Sequence, residues 1–167
     1  ASDALIDFEE TQGEHYNLFN VRYVVAPENQ SVPAFTRLLG QFGRHRLYEV
    51  ETSGYFDLVG SELAFFGEGN HFNTSVSSWL ASAMPNAKRH PRVSIDSSLP
   101  NEALAIPLNQ ASQIVSATRI STGLSSAEII SATIGSNFLR SECIGLQTNL
   151  LLLNTSYHPN GKATVTA

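Results

Sequence analysis

The side chains that could carry acid–base or metal chemistry are scattered along this chain. No two of the five histidines lie at the spacing that puts a pair of metal ligands on one helix or strand; they are His15, His45, His71, His90 and His158. Isolated carboxylates stand at Asp57, Glu62, Glu68 and Asp96. The sequence contains no nucleophile elbow, phosphate-binding loop or dinucleotide fingerprint. We therefore assign no catalytic residue, no metal ligand and no cofactor.

The only cysteine is Cys143, so the chain has neither an internal disulfide framework nor a thiolate metal cluster. A nucleophilic cysteine would need a histidine partner, and none lies near it in the sequence. Free cysteine is among the most buried residue types. We interpret Cys143 as a small buried hydrophobe.

Two clusters of basic residues stand out in a chain whose net charge is −5. One is Arg44-His45-Arg46, and the other is the run from Lys88 to Arg92. They are either solvated loops or contacts to anionic head groups or a lipid-linked phosphate. The candidate residues for the second interpretation are Arg44, Arg46, Lys88 and Arg89. The acidic net charge argues against nucleic acid as the partner.

The elements that would position these residues begin with a strand over residues 20–27, which is closed by Pro27. A helix is predicted over residues 32–42, because apolar residues recur there at helical spacing, and Gly43 would end it. A second strand covers residues 46–50. We expect one shared core from the apolar residues Val21, Tyr23, Val25, Phe35, Leu38, Leu39 and Phe42. Leu38→Ala should then cost about 2–5 kcal/mol.

A third strand is predicted over residues 55–59, and a second helix begins at Phe72 and ends before Pro85. Trp79, the only tryptophan, lies on the apolar face of this helix. It is either an anchor in the core or a stacking platform for a sugar ring. We keep Trp79 as a candidate ligand-binding residue.

The composition changes near residue 90, where Ser, Thr, Ile, Leu and Val become frequent. We divide the chain there into a mixed α/β unit (1–90) and an antiparallel β-rich unit (91–167), with one compact domain as the alternative. Strands are predicted at 93–96, 138–144 and 150–157, whereas 114–120 and 126–134 fit a helix or a strand, with β-branched content favouring strand. Asn160-Gly161 predicts a hairpin turn. The four leucines Leu150–Leu153 predict a strand end covered on both sides. The expected fold class is α+β.

Hydrophobic content of 42% over 167 residues is typical of a globular protein, and no apolar run approaches the length of a membrane span. The last segment reads as a strand cut at its tip. We therefore expect the chain to be an excised part of a longer protein.

Three stretches together resemble one family. Asn17-Leu18-Phe19-Asn20-Val21-Arg22-Tyr23-Val24-Val25-Ala26-Pro27 resembles the segment after the last helices of bacterial multi-pass membrane proteins of the YfhO-like type. Arg46-Leu47-Tyr48-Glu49-Val50 resembles that segment's next strand, and residues 152–165 resemble the family's closing hairpin, which has tryptophan where Gly161 stands. These proteins are similar to C-type glycosyltransferases that use polyprenyl-linked sugars.

The resemblance implies an extracytoplasmic domain tethered to a membrane-embedded body, which would be the rest of the parent chain. The family's catalytic carboxylates lie in loops without a counterpart here, so the chain itself is expected to be non-catalytic while its parent is glycosyltransferase-like. The expected function is to assist binding of a glycan or polyprenyl-linked sugar, with Tyr157 and His158 at the hairpin tip as further ligand-binding candidates. The alternatives are a structural or protein-interaction module without ligand and a free-standing hydrolase.

Overall fold

The computed structural model describes residues 7–60, 63–95, 104–110, 127–145, 149–154 and 162–165. The helices are α1 (Gly13–Leu18) and α2 (Phe72–Leu80), and short 3-10 turns cover Gly69–His71 and Leu108–Gln110. The strands are β1 (Tyr23–Pro27), β2 (Thr36–Phe42), β3 (His45–Val50), β4 (Phe56–Gly60), β5 (Leu63–Gly67), β6 (Arg92–Ile95), β7 (Leu104–Pro107), β8 (Glu128–Ile134), β9 (Leu139–Ile144) and β10 (Asn149–Leu153). The α+β, β-rich fold class is confirmed.

The first sheet has the strand order β1-β3-β2, and both pairings are antiparallel. The predicted strands at 20–27 and 46–50 are confirmed as β1 and β3. The predicted helix over residues 32–42 is wrong, because residues 36–42 form β2. Gly43 does not end a helix. It occupies, at φ +61°, the two-residue turn that joins β2 to β3, where glycine adopts positive φ without strain.

The apolar spacing in β2 comes from an irregularity in the strand. The register shifts between Leu38 and Gly40, so that Leu39 is an extra residue opposite β3. The alternation of side chains between the two faces of the sheet is broken at this bulge. The apolar residues on either side of it therefore fall, by coincidence, at helical intervals. Leu38 is 53% exposed and Phe42 is 68% exposed, so the predicted shared core does not exist at these positions.

The main core lies instead around β5, which is flanked by β6 and β7 in parallel. Phe65 is completely buried and Leu63 nearly so. They cluster with Trp79 and Leu80 of α2, Met84, Ile106 and Leu108. The second predicted helix is confirmed as α2. A buried hydrogen bond, in which the hydroxyl of Ser75 donates to the carbonyl of Leu108 at 2.6 Å, holds this helix against the segment after β7.

Two smaller antiparallel sheets complete the fold. The predicted strand at 55–59 is β4, which pairs with β10. The hairpin β8–β9 confirms the strands predicted within 126–134 and 138–144, and half-buried Cys143 lies in β9. Two expectations, the strand or helix at 114–120 and the turn at Asn160-Gly161, lie outside the described residues.

The second half differs from its prediction in two further respects. Leu150, Leu151 and Leu153 are 36–45% exposed, so the expectation that this strand end is covered on both sides is wrong. Two sheets also join strands from both sides of residue 90, since β5 pairs with β6 and β7 and β4 pairs with β10. The division into 1–90 and 91–167 stays a prediction.

The positions of Phe65 and Leu38 lead to opposite expectations for truncation. Phe65→Ala should lower the free energy of unfolding by about 3–5 kcal/mol, because it opens a cavity in the core. Leu38→Ala should cost about 1 kcal/mol or less, because the side chain is half in water already. Urea unfolding of both variants measures the difference. A larger loss for Leu38→Ala than for Phe65→Ala would contradict this description of the core.

Candidate functional site

An open groove runs between α1 and one end of the β1-β3-β2 sheet. It consists of two adjoining clefts with volumes of about 500 and 360 Å³, and both are lined by Phe35, Val50, Glu51 and Thr52. The larger cleft extends to Glu14, Asn17 and Lys88, and the smaller one to Arg22, Arg37 and Glu49. We refer to this combined feature as the Phe35 groove.

Phe35 forms the apolar wall of the groove. Its ring meets that of Tyr16 edge-on, with the centroids 5.3 Å apart and the planes at 73°. Tyr16 is buried on α1, so the contact fixes one side of the Phe35 ring against the protein, while 41% of the residue remains exposed. Just after Phe35, the amide and hydroxyl of Thr36 both donate to the carbonyl of Pro33. This turn sets the position at which the aromatic residue enters the groove.

The end of the groove that carries two arginines is organised by Glu49. Its carboxylate accepts from Arg37, which faces it across β2 and β3, and from Arg22 at 3.2 Å. Both arginine side chains are more than 60% exposed. The pKa of Glu49 is lowered because Arg37, and after it Arg22, hydrogen-bond its charged form. Two arginines share the Glu49 carboxylate, so guanidinium N–H groups remain available to a ligand at this end, where Glu51 brings the formal charge of the lining to zero.

The other end is organised by Asp57, which is 7% exposed. Lys88 Nζ lies 2.8 Å from Oδ1, the side-chain amide of Asn17 donates to Oδ2 at 3.0 Å, and the amide of Leu58 donates to Oδ1. Lys88 reaches this position from a left-handed backbone conformation with φ +52°, which costs a non-glycine residue roughly 1–2 kcal/mol. The same Asn17 accepts from the amide of Ser53 in the groove wall at 2.6 Å.

His90 lies beside this cluster and packs edge-on against Trp79, with the ring centroids 5.1 Å apart. The pKa of His90 is lowered to about 4, mainly by burial, which the charge of Asp57 opposes and that of Lys88 assists. The imidazole is therefore neutral near pH 7. Glu14 and Asp57 face the small space beside it.

His15 is a second buried histidine that the sequence pattern did not single out. The amide of Glu9 donates to its Nδ1 at 2.9 Å, and its Nε2 lies 3.2 Å from the carbonyl of Leu80. A carbonyl can only accept, so Nε2 carries the proton in this tautomer. His15 thus fastens α1 to the end of α2.

The structure separates the site residues expected from the sequence. Trp79 is 6% exposed and its indole donates to the carbonyl of Arg89 at 2.8 Å, so it acts as a core anchor and offers no open face to a sugar. Arg89 is itself buried, and Lys88 is the one candidate of its cluster that lines the groove. Tyr157 and His158 lie outside the described residues.

The other basic cluster lies at the far end of the first sheet. Arg44 is exposed in the β2–β3 turn, and Arg46 lies within 3.5 Å of Gln41. Sequence reasoning missed Phe35, Arg22 and Arg37 as groove residues. Because residues 32–42 were predicted to form a helix, the strand register that places Arg37 opposite Glu49 could not be inferred from the sequence.

No protein-family model, curated protein or solved structure matches this chain. Within the described ranges, neither helix has the length and hydrophobicity needed to span a bilayer. In the same ranges, no three His, Cys, Asp or Glu side chains are grouped closely enough to hold a metal ion.

The environment of His90 predicts a pH dependence of stability. Its pKa falls from 6.5 to about 4 on folding, so between these values the unfolded chain binds a proton that the folded chain does not. Protonation of His90 therefore leaves the free energy of unfolding unchanged above pH 6.5 and lowers it as the pH falls toward 4. The loss should be roughly 3 kcal/mol.

Urea unfolding at a series of pH values tests this, with His90→Gln as the comparison. All other ionisable residues are the same in both proteins, so the difference between the two stability curves isolates His90. Parallel curves between pH 6.5 and 4 would contradict the assignment.

Proposed function

We propose that this chain is a non-catalytic domain on the extracytoplasmic face of the cell membrane, within a multi-pass protein related to glycosyltransferases. Its role is to assist binding of a glycan or polyprenyl-linked sugar, with the membrane-embedded remainder of the parent chain as its partner. The resemblance of residues 17–27, 46–50 and 152–165 supports the setting. The Phe35 groove is the observation that carries the binding role.

The groove joins the kinds of groups that a sugar linked to a phosphate requires. An exposed aromatic ring offers an apolar surface to the carbon-bound hydrogens of a sugar ring. The carboxylates of Glu14 and Glu51 can accept hydrogen bonds from its hydroxyls, and the Asn17 amide can accept or donate them. Arg22 and Arg37 present planar guanidinium groups, which match phosphate oxygens. One end of the groove therefore offers hydrogen-bonding groups that suit a sugar, and the other end offers guanidinium groups that suit its phosphate.

A protein-interaction module without a ligand is the second candidate. The first sheet exposes apolar side chains on one face, including Tyr23 and Val25, and Trp79 is buried rather than lining a groove. A flat apolar surface is typical of a site that another macromolecule covers.

Binding can be tested with glucose linked to geranyl phosphate as the probe, followed by the NMR amide signals of Glu51, Thr52 and Ser53. We expect saturable shifts at these amides. Phe35→Ser should weaken binding about tenfold, because it removes the aromatic surface. Phe138→Ser is the matched control, since Phe138 is exposed on the hairpin side of the molecule. Glucose and geranyl phosphate alone show which part is recognised. Absence of saturable shifts in the groove would overturn the binding role.

The location can be tested by cysteine labelling in the full-length protein. Thr133 is exposed on β8, and Cys143 is the only cysteine of the 167 residues, so Thr133→Cys combined with Cys143→Ser leaves one thiol in this part of the protein. A membrane-impermeant maleimide should label it in intact cells. Labelling that requires lysis would place the domain in the cytoplasm and contradict the proposal.

A further inference from the structure

One face of the β1-β3-β2 sheet is open to solvent although apolar residues occupy its centre. The register pairs Val25 with Leu47, places Gly40 on the other side of Leu47, and pairs Phe42 with His45. Side chains alternate between faces along a strand, so Tyr23, Val25, Leu47 and Phe42 share this face. We call it the open face. The opposite face carries Ala26, Tyr48 and Val50, which are buried.

The apolar residues of the open face are strongly exposed. Tyr23 is 54%, Val25 66% and Phe42 68% exposed. The Phe42 ring packs over Gly40, where an added Cβ would lie 3.5 Å from it, so the ring lies against the sheet. These residues come from both edge strands and the central one, and they therefore form a flat patch rather than a groove.

The sheet carrying this patch is positively charged in an acidic protein. Residues 22–50 contain four arginines and two glutamates and no lysine or aspartate, which gives +2 in a chain whose net charge is −5. Arg44 stands in the turn directly after Phe42, and Arg37 points from the open face of β2 beside Glu49. Glu49 also lies on the open face, in the central strand between Tyr23 and Arg37, whereas Arg46 pairs with Ala26 and lies on the opposite face. Glu28 follows β1, and each glutamate is hydrogen-bonded to a β2 side chain, Gln41 or Arg37.

From this arrangement we propose that the open face binds the surface of a membrane containing anionic lipids. Aromatic and aliphatic side chains at the centre would enter the boundary between head groups and acyl chains, and the arginines at the margin would contact lipid phosphates. A second copy of the chain fits less well, because a two-fold contact would bring the two positive margins together. The inference does not depend on the Phe35 groove.

The experiment is co-sedimentation of the purified protein with vesicles of phosphatidylcholine alone or mixed equally with phosphatidylglycerol. We expect binding to the mixed vesicles that weakens with added salt, and little binding to the neutral ones. Phe42→Ser should weaken binding about tenfold and Arg44→Gln about fivefold. Neither residue lines the groove, so binding of the sugar phosphate to these variants should remain unchanged.

Two controls match the changes in chemistry at other places. Ile130→Ser removes an exposed apolar side chain from β8, and Arg140→Gln removes an exposed arginine from β9. Both should bind vesicles like the unaltered protein, and thermal unfolding confirms that each variant is folded. Equal loss in the controls, no binding to the mixed vesicles, or a dimer in sedimentation velocity that Phe42→Ser dissociates would overturn the proposal. In the last case a second copy covers the open face.

Discussion

The carboxylate of Asp57 is the interaction on which much of this structure depends. A buried charge is costly unless it is paired and hydrogen-bonded, and here Lys88, Asn17 and a backbone amide supply the partners. These partners come from three separate parts of the chain: α1, the segment between α2 and β6, and β4 itself. Satisfying one carboxylate therefore fixes the relative positions of elements that are far apart in sequence.

The network around Asp57 extends beyond the ion pair. Lys88 accepts from the amide of Gly60, and Gly60 in turn accepts from the amide of His90, so the segment that carries the lysine is bound along β4. On the other side, the side chain of Asn154 donates to the carbonyl of Asn17 at 3.3 Å. The end of β10 is thereby connected to α1. The strained backbone of Lys88 is maintained because several neighbouring bonds determine it together.

The proposed binding surfaces follow from how the first sheet is attached. Contacts from α1, through Tyr16 and Phe35, hold one end of the sheet against the rest of the molecule. The Phe35 groove lies beside this contact, between α1 and the end of the sheet. On the open face of the same sheet, Tyr23, Val25 and Phe42 are more than half exposed. Groove and open face are thus two consequences of a sheet that is packed on one side.

Some features follow from the amino-acid sequence because their cause is local. The strand β1 ends at Pro27 because proline cannot donate to the ladder, and α2 follows from apolar residues at helical spacing before Pro85. The same kind of pattern misled at residues 32–42. There a bulge at Leu39 placed apolar residues at helical intervals on a strand, and the pairing with β3 outweighed the periodicity.

Tertiary structure alone decided which residues share a site. Hydrophobicity predicts that Leu38 and Phe42 would be buried, but burial requires another element to cover them, and none of the described elements does so. The groove depends on Arg37 and Glu49 facing each other across two strands and on Lys88 reaching Asp57 over 31 positions. Residue type indicates what each side chain can do. Strand register and long-range packing determine which ones meet, because these are properties of the assembled chain and leave no periodic mark in the sequence.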